Sequence, residues 1–286
     1  MLKSSLVCLF LGLIFSVHAQ DFQEVSFHSE FENVHFQNNS QPLAKLLMAD
    51  ATVKSIDYFN FREELSVYIN GLQSKQTRFK KEKDFVSHVF YKTHRKYLKR
   101  YVPFTTLGVL AKTGKYDCLS ATSLYSYLFT KLGVHHSIIE TNYHIYIKVS
   151  TSEGDLLIES TDAIYGFVER SDEIKTRLKQ MDKEESQPDN AYRFTSTVNE
   201  IISPTELIGL QYYNQAVSAF NEQRYSESID FLLKGLIFRN NPRTIEFGLV
   251  LAQGIMKDDR LDQNSKLTHI TRLQRLLHDN IAVVSR

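Results

Sequence analysis

This 286-residue chain has no tryptophan, only two cysteines and a formal net charge of just +1. Near-neutral charge leaves no global field to recruit nucleic acid or an acidic surface. The 15 tyrosines and 19 phenylalanines that stand in for tryptophan point to no functional class. There is no H-x-x-x-H, no C-x-x-C and no glycine-rich phosphate loop. The adjacent His135 and His136 would point to opposite sides of a strand, so the sequence predicts neither a metal nor a nucleotide cofactor. Long apolar runs are missing except near the start, where residues 6–15 follow the positively charged Met1-Leu2-Lys3 and precede the small-residue site Val17-His18-Ala19. That run is too short for a stable bilayer span and reads as a signal peptide, residues 1–19, cleaved near Gln20. A periplasmic or secreted protein with no transmembrane segment in the mature chain is expected. Cys8 lies inside the peptide, so the exported chain keeps Cys118 alone. A single cysteine cannot form an intramolecular disulfide, which leaves a buried packing residue, an intermolecular bridge or a reactive thiol.

What is present fits an ordinary globular protein: 42% of residues are hydrophobic and 23% charged. Residues 20–79 form an N-terminal helical region, polar and weakly periodic up to 41, then with Leu43, Leu46, Leu47, Phe61, Leu65, Tyr68, Ile69 and Leu72 at helical spacing. One amphipathic helix is predicted over 82–101, ended by Pro103; its basic residues, among them Lys92 and Arg95, read as a solvated face. Strands are predicted over 137–140, 143–149, 156–161 and 192–201. Between the last two lies a charged surface excursion, 171–190.

Asp117 is a good N-cap and places Cys118 in the first turn of a helix that Gly133 ends. A helix N-terminus favours a thiolate, and its unpaired N–H groups are the raw material of an oxyanion hole. His144 follows in the strand after, where alternation puts it with Tyr146 and Lys148, able to take the thiol proton and return it. The next strand brings Glu159 and Asp162, either of which can orient the imidazole. Hairpin register separates them. A four-residue loop over 151–154 pairs Ser150 with Asp155 and places Glu159 on the face of His144, whereas a three-residue loop sets His144 opposite Asp162. The apolar run followed by acid-x-Thr favours Glu159.

Over residues 80–202 this order resembles the transglutaminase-like cysteine hydrolase superfamily of the papain-like group. The likeness rests on the cysteine at a helix start, the Leu132-Gly133 end, the histidine in the next strand and the acid in the strand after. It implies Cys118 as nucleophile, His144 as general base and acid, and Glu159 or Asp162 as orienting acid. Family members often carry Asp-Pro-Thr where this chain has Glu159-Ser160-Thr161. The fold expected is α+β, with the cysteine helix packed on an antiparallel sheet. Residues 203–286 open on the capping box Ser203-Pro204-Thr205-Glu206. They resemble a tetratricopeptide repeat through Tyr212, Ala216, Phe220, Tyr225, Leu232 and Gly235, with helices near 204–222 and 225–238, a stop at Pro242, and a degenerate second pair near 243–257 and 263–279. The function expected is an exported cysteine hydrolase or acyl transferase cleaving an amide bond in a peptide, protein or peptidoglycan-type substrate. The alternative is a catalytically silent module that binds another exported protein through its helical repeat.

Overall fold

The computed structural model describes residues 25–142, 144–185 and 198–284. The expected signal peptide with Cys8 lies outside the described residues, as do Tyr143, residues 186–190 of the expected excursion and the 192–197 part of the last expected strand. The protein is mixed α/β. An N-terminal layer holds α1 (Glu30–Gln37), α2 (Pro42–Leu47), α3 (Ser55–Gln76) and α4 (Glu82–Tyr97). A short parallel pair, β1 (Arg100–Tyr101) with β2 (Lys115–Tyr116), brackets α5 (Leu107–Thr113) and leads into α6 (Cys118–Leu132). Then come β3 (His136–Thr141), β4 (Ile145–Thr151), β5 (Gly154–Ile158), β6 (Phe167–Val168), α7 (Ser171–Glu185) and β7 (Asn199–Ile202). These strands form one antiparallel sheet in the order β6-β5-β4-β3-β7. Helices α8 (Pro204–Asn221), α9 (Tyr225–Phe238), α10 (Pro242–Lys257) and α11 (Gln263–Val284) follow. Among the described residues no helix is long and apolar enough to cross a membrane.

Strand alternation gives the sheet two apolar faces, and each is covered. Ile138, Ile147, Val149, Leu156 and Ile158 join the main core, which includes Leu124, Tyr125, Leu128 and Phe129 of α6. Each fully buried side chain of this size contributes about 1.5–3 kcal/mol. Tyr125 donates its hydroxyl to the Phe90 carbonyl at 2.9 Å, so this buried ring ties α6 to α4 without an unsatisfied polar group. On the opposite face Ile139, Tyr146, Leu157 and Val168 cluster with Met181, and Ile174 and Leu178 pack against them.

Helices α8 and α9 run antiparallel in close contact. Gly209 near the start of α8 meets Gly235 and Arg239 near the end of α9. A Cβ on Gly209 would lie 2.8 Å from the Arg239 Cβ and 3.0 Å from the Gly235 carbonyl oxygen. Further along, Ser228 donates to the Ala216 carbonyl at 2.8 Å, so this buried hydroxyl is satisfied.

Three local expectations change. Residues 30–37, read as polar and weakly periodic, are helix α1, capped by Ser29 and held by buried Phe31 and Phe36. The helix expected to reach residue 101 ends at Tyr97, because the Lys99 and Arg100 amides bond to the Gly114 carbonyl and Arg100–Tyr101 pair with β2. The stop expected at Pro242 is observed, since α9 ends at Phe238, and Pro242 also starts α10, behind the cap in which Asn241 Oδ1 accepts the Thr244 N–H at 2.9 Å. The charged stretch from 171 is helix through Glu185, since Ile174, Leu178 and Met181 at helical spacing cover the outer face of the sheet.

Candidate active site

Asp117 caps α6. Its Oδ1 accepts the Ser120 N–H at 2.7 Å while Ser120 Oγ accepts the Asp117 N–H at 2.9 Å, a reciprocal capping box. Cys118 is thereby the first residue of the helix, a free thiol of intermediate exposure. The Leu119 N–H is directed at its sulfur.

The sheet supplies the other two groups. Ser150 pairs with Asp155 and Thr151 with Gly154, the register of the four-residue loop. The ladder closes at Ile147 and Ile158, leaving His144 just before β4 rather than inside a strand, and Glu159 just beyond β5. There His144 Nε2 hydrogen-bonds Glu159 Oε2. Glu159 is only 4% exposed, and its other oxygen accepts the Thr161 N–H at 3.1 Å and the Thr161 hydroxyl at 2.6 Å. Burial works against ionising Glu159, but its bonds from His144 and Thr161 outweigh burial and hold the carboxyl below its ordinary pKa. Ser160 fastens this corner to the helix, donating to the Cys118 carbonyl at 3.3 Å and meeting Thr122 Oγ1 at 3.2 Å. The histidine, its acid and the cysteine-bearing turn are thus linked by hydrogen bonds.

Asp162 is used elsewhere. It accepts the Ile164 and Tyr165 N–H groups at 3.1 and 2.8 Å and pairs with Arg177 of α7. It shapes the 162–166 turn, in which Gly166 is obligatory: a Cβ there would lie 2.1 Å from the Glu159 carbonyl oxygen and 2.3 Å from that of Asp162.

The electrostatics do not favour a standing thiolate. Burial, then the carboxylates of Asp117 and Glu159, push the Cys118 thiol up to about 12, against the opposing pull of the Leu119 N–H and Arg243. Burial likewise raises the Asp117 carboxyl from its usual 3.8 to about 6. Folding therefore favours protonated Asp117. The stability this contributes is present below pH 3.8 and lost as pH rises through about 6, in total about 3 kcal/mol. Asparagine caps a helix about as well without the charge. We expect urea unfolding at pH 4 and pH 7 to show Asp117→Asn gaining about 3 kcal/mol on wild type at the higher pH; a difference independent of pH would mean that burial does not perturb Asp117.

Three neighbours carry no local sequence signal. Asn214 of α8 donates to Asp117 Oδ2 at 3.4 Å. Tyr101 of β1 stands close enough for Cys118, Asp117 and Glu159, after burial, to help raise its hydroxyl to about 12. Arg243 of α10 reaches Glu140 and Thr141 at 3.2 and 3.3 Å. Asn214 and Arg243 arrive from helices about a hundred residues further along the chain, and Tyr101 through the pairing of β1 with β2. Comparison with protein-family models, curated proteins and solved structures finds no match to the chain.

Proposed function

We propose that Cys118, His144 and Glu159 form the acyl-transfer site of a transglutaminase-like, papain-like cysteine hydrolase or acyl transferase, exported and acting on an amide bond of a peptide, protein or peptidoglycan-type substrate. The observation that carries this reading is the buried Glu159 carboxylate on His144 Nε2, in a corner that Ser160 bonds to the first turn of the cysteine helix. An acid on one ring nitrogen sets the tautomer and assigns proton exchange with the thiol to the other, Nδ1.

Because burial and two carboxylates hold the resting thiol protonated, the base acts during attack and not before it. As the C–S bond forms, the thiol proton passes to His144 Nδ1 and the carbonyl oxygen takes up negative charge facing the N–H groups at the start of α6. The intermediate collapses with cleavage of the C–N bond, and His144 returns the proton to the departing amine. Water, or a second amine, then gives its proton to His144 as it attacks the thioester. The C–S bond breaks and the thiol is restored.

Alkylation of the purified protein by iodoacetamide from pH 5 to 9 tests this. Wild type should show a rate limb in the range where histidines titrate, and His144→Ala should lose it, keeping only the steep rise toward high pH. Superimposable profiles would leave Cys118 an ordinary unactivated thiol and move the search to binding partners.

A further inference from the structure

The turn that carries His144 is not held by the sheet alone. Thr141, the last residue of β3, donates its N–H and its hydroxyl to the His144 carbonyl at 2.9 and 3.2 Å, closing the β3–β4 connection. The outward side of the same turn meets the C-terminal helices. Arg243, in the first turn of α10, donates through one guanidinium nitrogen to Glu140 Oε1 at 3.2 Å and to the Thr141 carbonyl at 3.3 Å. Its guanidinium lies 4.7 Å from the centroid of the Tyr213 ring of α8, which fixes the plane of the fork. Glu140 is 1% exposed and also pairs with Arg239, the residue after α9, which reaches Glu200 of β7 and Glu206 of α8 as well. The clamp is buried at Glu140 and Arg239, links β3, β7, α8 and α10, and ends on the residue that closes the histidine turn.

We infer that Arg243 is a positioning residue for His144: the C-terminal helical unit completes the acyl-transfer site by holding the β3–β4 turn through Glu140 and Thr141. The inference rests on the acyl-transfer reading of Cys118 and His144. It gives the helical unit a task at the site. Loosening of α10 should misplace the imidazole although no helical residue replaces it.

The test uses the full mature chain and two readouts: the His144 ring signals by NMR, assigned by their loss in His144→Ala, and the pH profile of Cys118 alkylation. Arg243→Met keeps an apolar stem against Tyr213 and removes the donors. Its His144 signals should shift and broaden, and the His144-dependent alkylation rate should fall about tenfold, the effect of a small misplacement at a reacting centre. Arg243→Lys keeps the charge but loses the rigid fork and should displace the same signals in the same direction by less. Should Arg243→Met fail to fold, the lysine variant alone decides. His144 signals unchanged in a folded variant overturn the positioning role, whatever the alkylation rate. A wild type with no His144-dependent alkylation overturns the acyl-transfer reading instead, and with it the catalytic meaning of the clamp.

Discussion

Replacing Lys234 with methionine should destabilise the protein by about 3–5 kcal/mol, about 5–10 °C in Tm for a chain of this size. Lys234 is completely buried, with Nζ 2.6 Å from Glu32 Oε1. The rings of Phe27, Tyr212 and Phe231 lie 5.6, 5.5 and 5.4 Å from that nitrogen. Burial lowers the lysine pKa, and Glu32 opposes the shift. Glu32 also accepts the Tyr212 hydroxyl at 2.9 Å and the His28 N–H at 2.6 Å, so it ties α1 to α8 and α9. Removing the cation alone strands a buried carboxylate, which accounts for most of the cost. The double variant Glu32→Gln with Lys234→Met keeps an acceptor for Tyr212 and leaves no charge, and should regain at least half the loss in urea unfolding. If the double variant is less stable than wild type by the full sum of the two single losses, the pair is not coupled.

Glu159→Gln should lower the His144-dependent alkylation rate, and any amide-cleaving activity, by about 10²- to 10⁴-fold with the fold intact. The amide can offer its NH₂ to Nε2 and select the wrong imidazole tautomer, and it cannot stabilise the imidazolium formed during attack. Asp162→Asn is the matched control. It removes half of the half-buried pair with Arg177 but can keep the backbone N–H acceptor, and should cost about 1 kcal/mol of stability, with little effect on rate. Equal kinetic losses from the two substitutions would mean that the hydrogen bond from His144 to Glu159 has no special role, and a loss confined to Asp162→Asn would transfer the orienting role to that acid.

Much was legible where the signal and its satisfaction lie within a few residues. Asp117 and Ser120 cap α6, Gly133 ends it in the left-handed region at φ 70°, and the Ser203–Glu206 box opens α8. Both caps are closed by groups three positions apart, so local chemistry suffices. The 151–154 loop had two registers open to it, and apolar alternation over 145–149 against 156–158 is compatible with the one observed.

Other features needed partners distant in sequence. Residues 98–101 carry a helical pattern, yet pairing with 114–116 stops α4 at Tyr97. The span 171–185 has too few large apolar residues to mark itself as structured, but three suffice once a sheet face needs covering. Lys234 and Arg243 are charged residues on helices, and nothing in their near neighbours marks them for burial. Their burial is set by desolvation and by countercharges from Glu32 and Glu140, far along the chain. The sequence by itself therefore determined the caps, the strand alternation and the placement of Cys118 in the first turn of its helix, because those depend on near neighbours. The tertiary structure fixed the choice of Glu159 over Asp162, which the sequence only favoured, and alone brought the C-terminal helices onto the histidine turn, because both depend on which distant polar groups lose their water together.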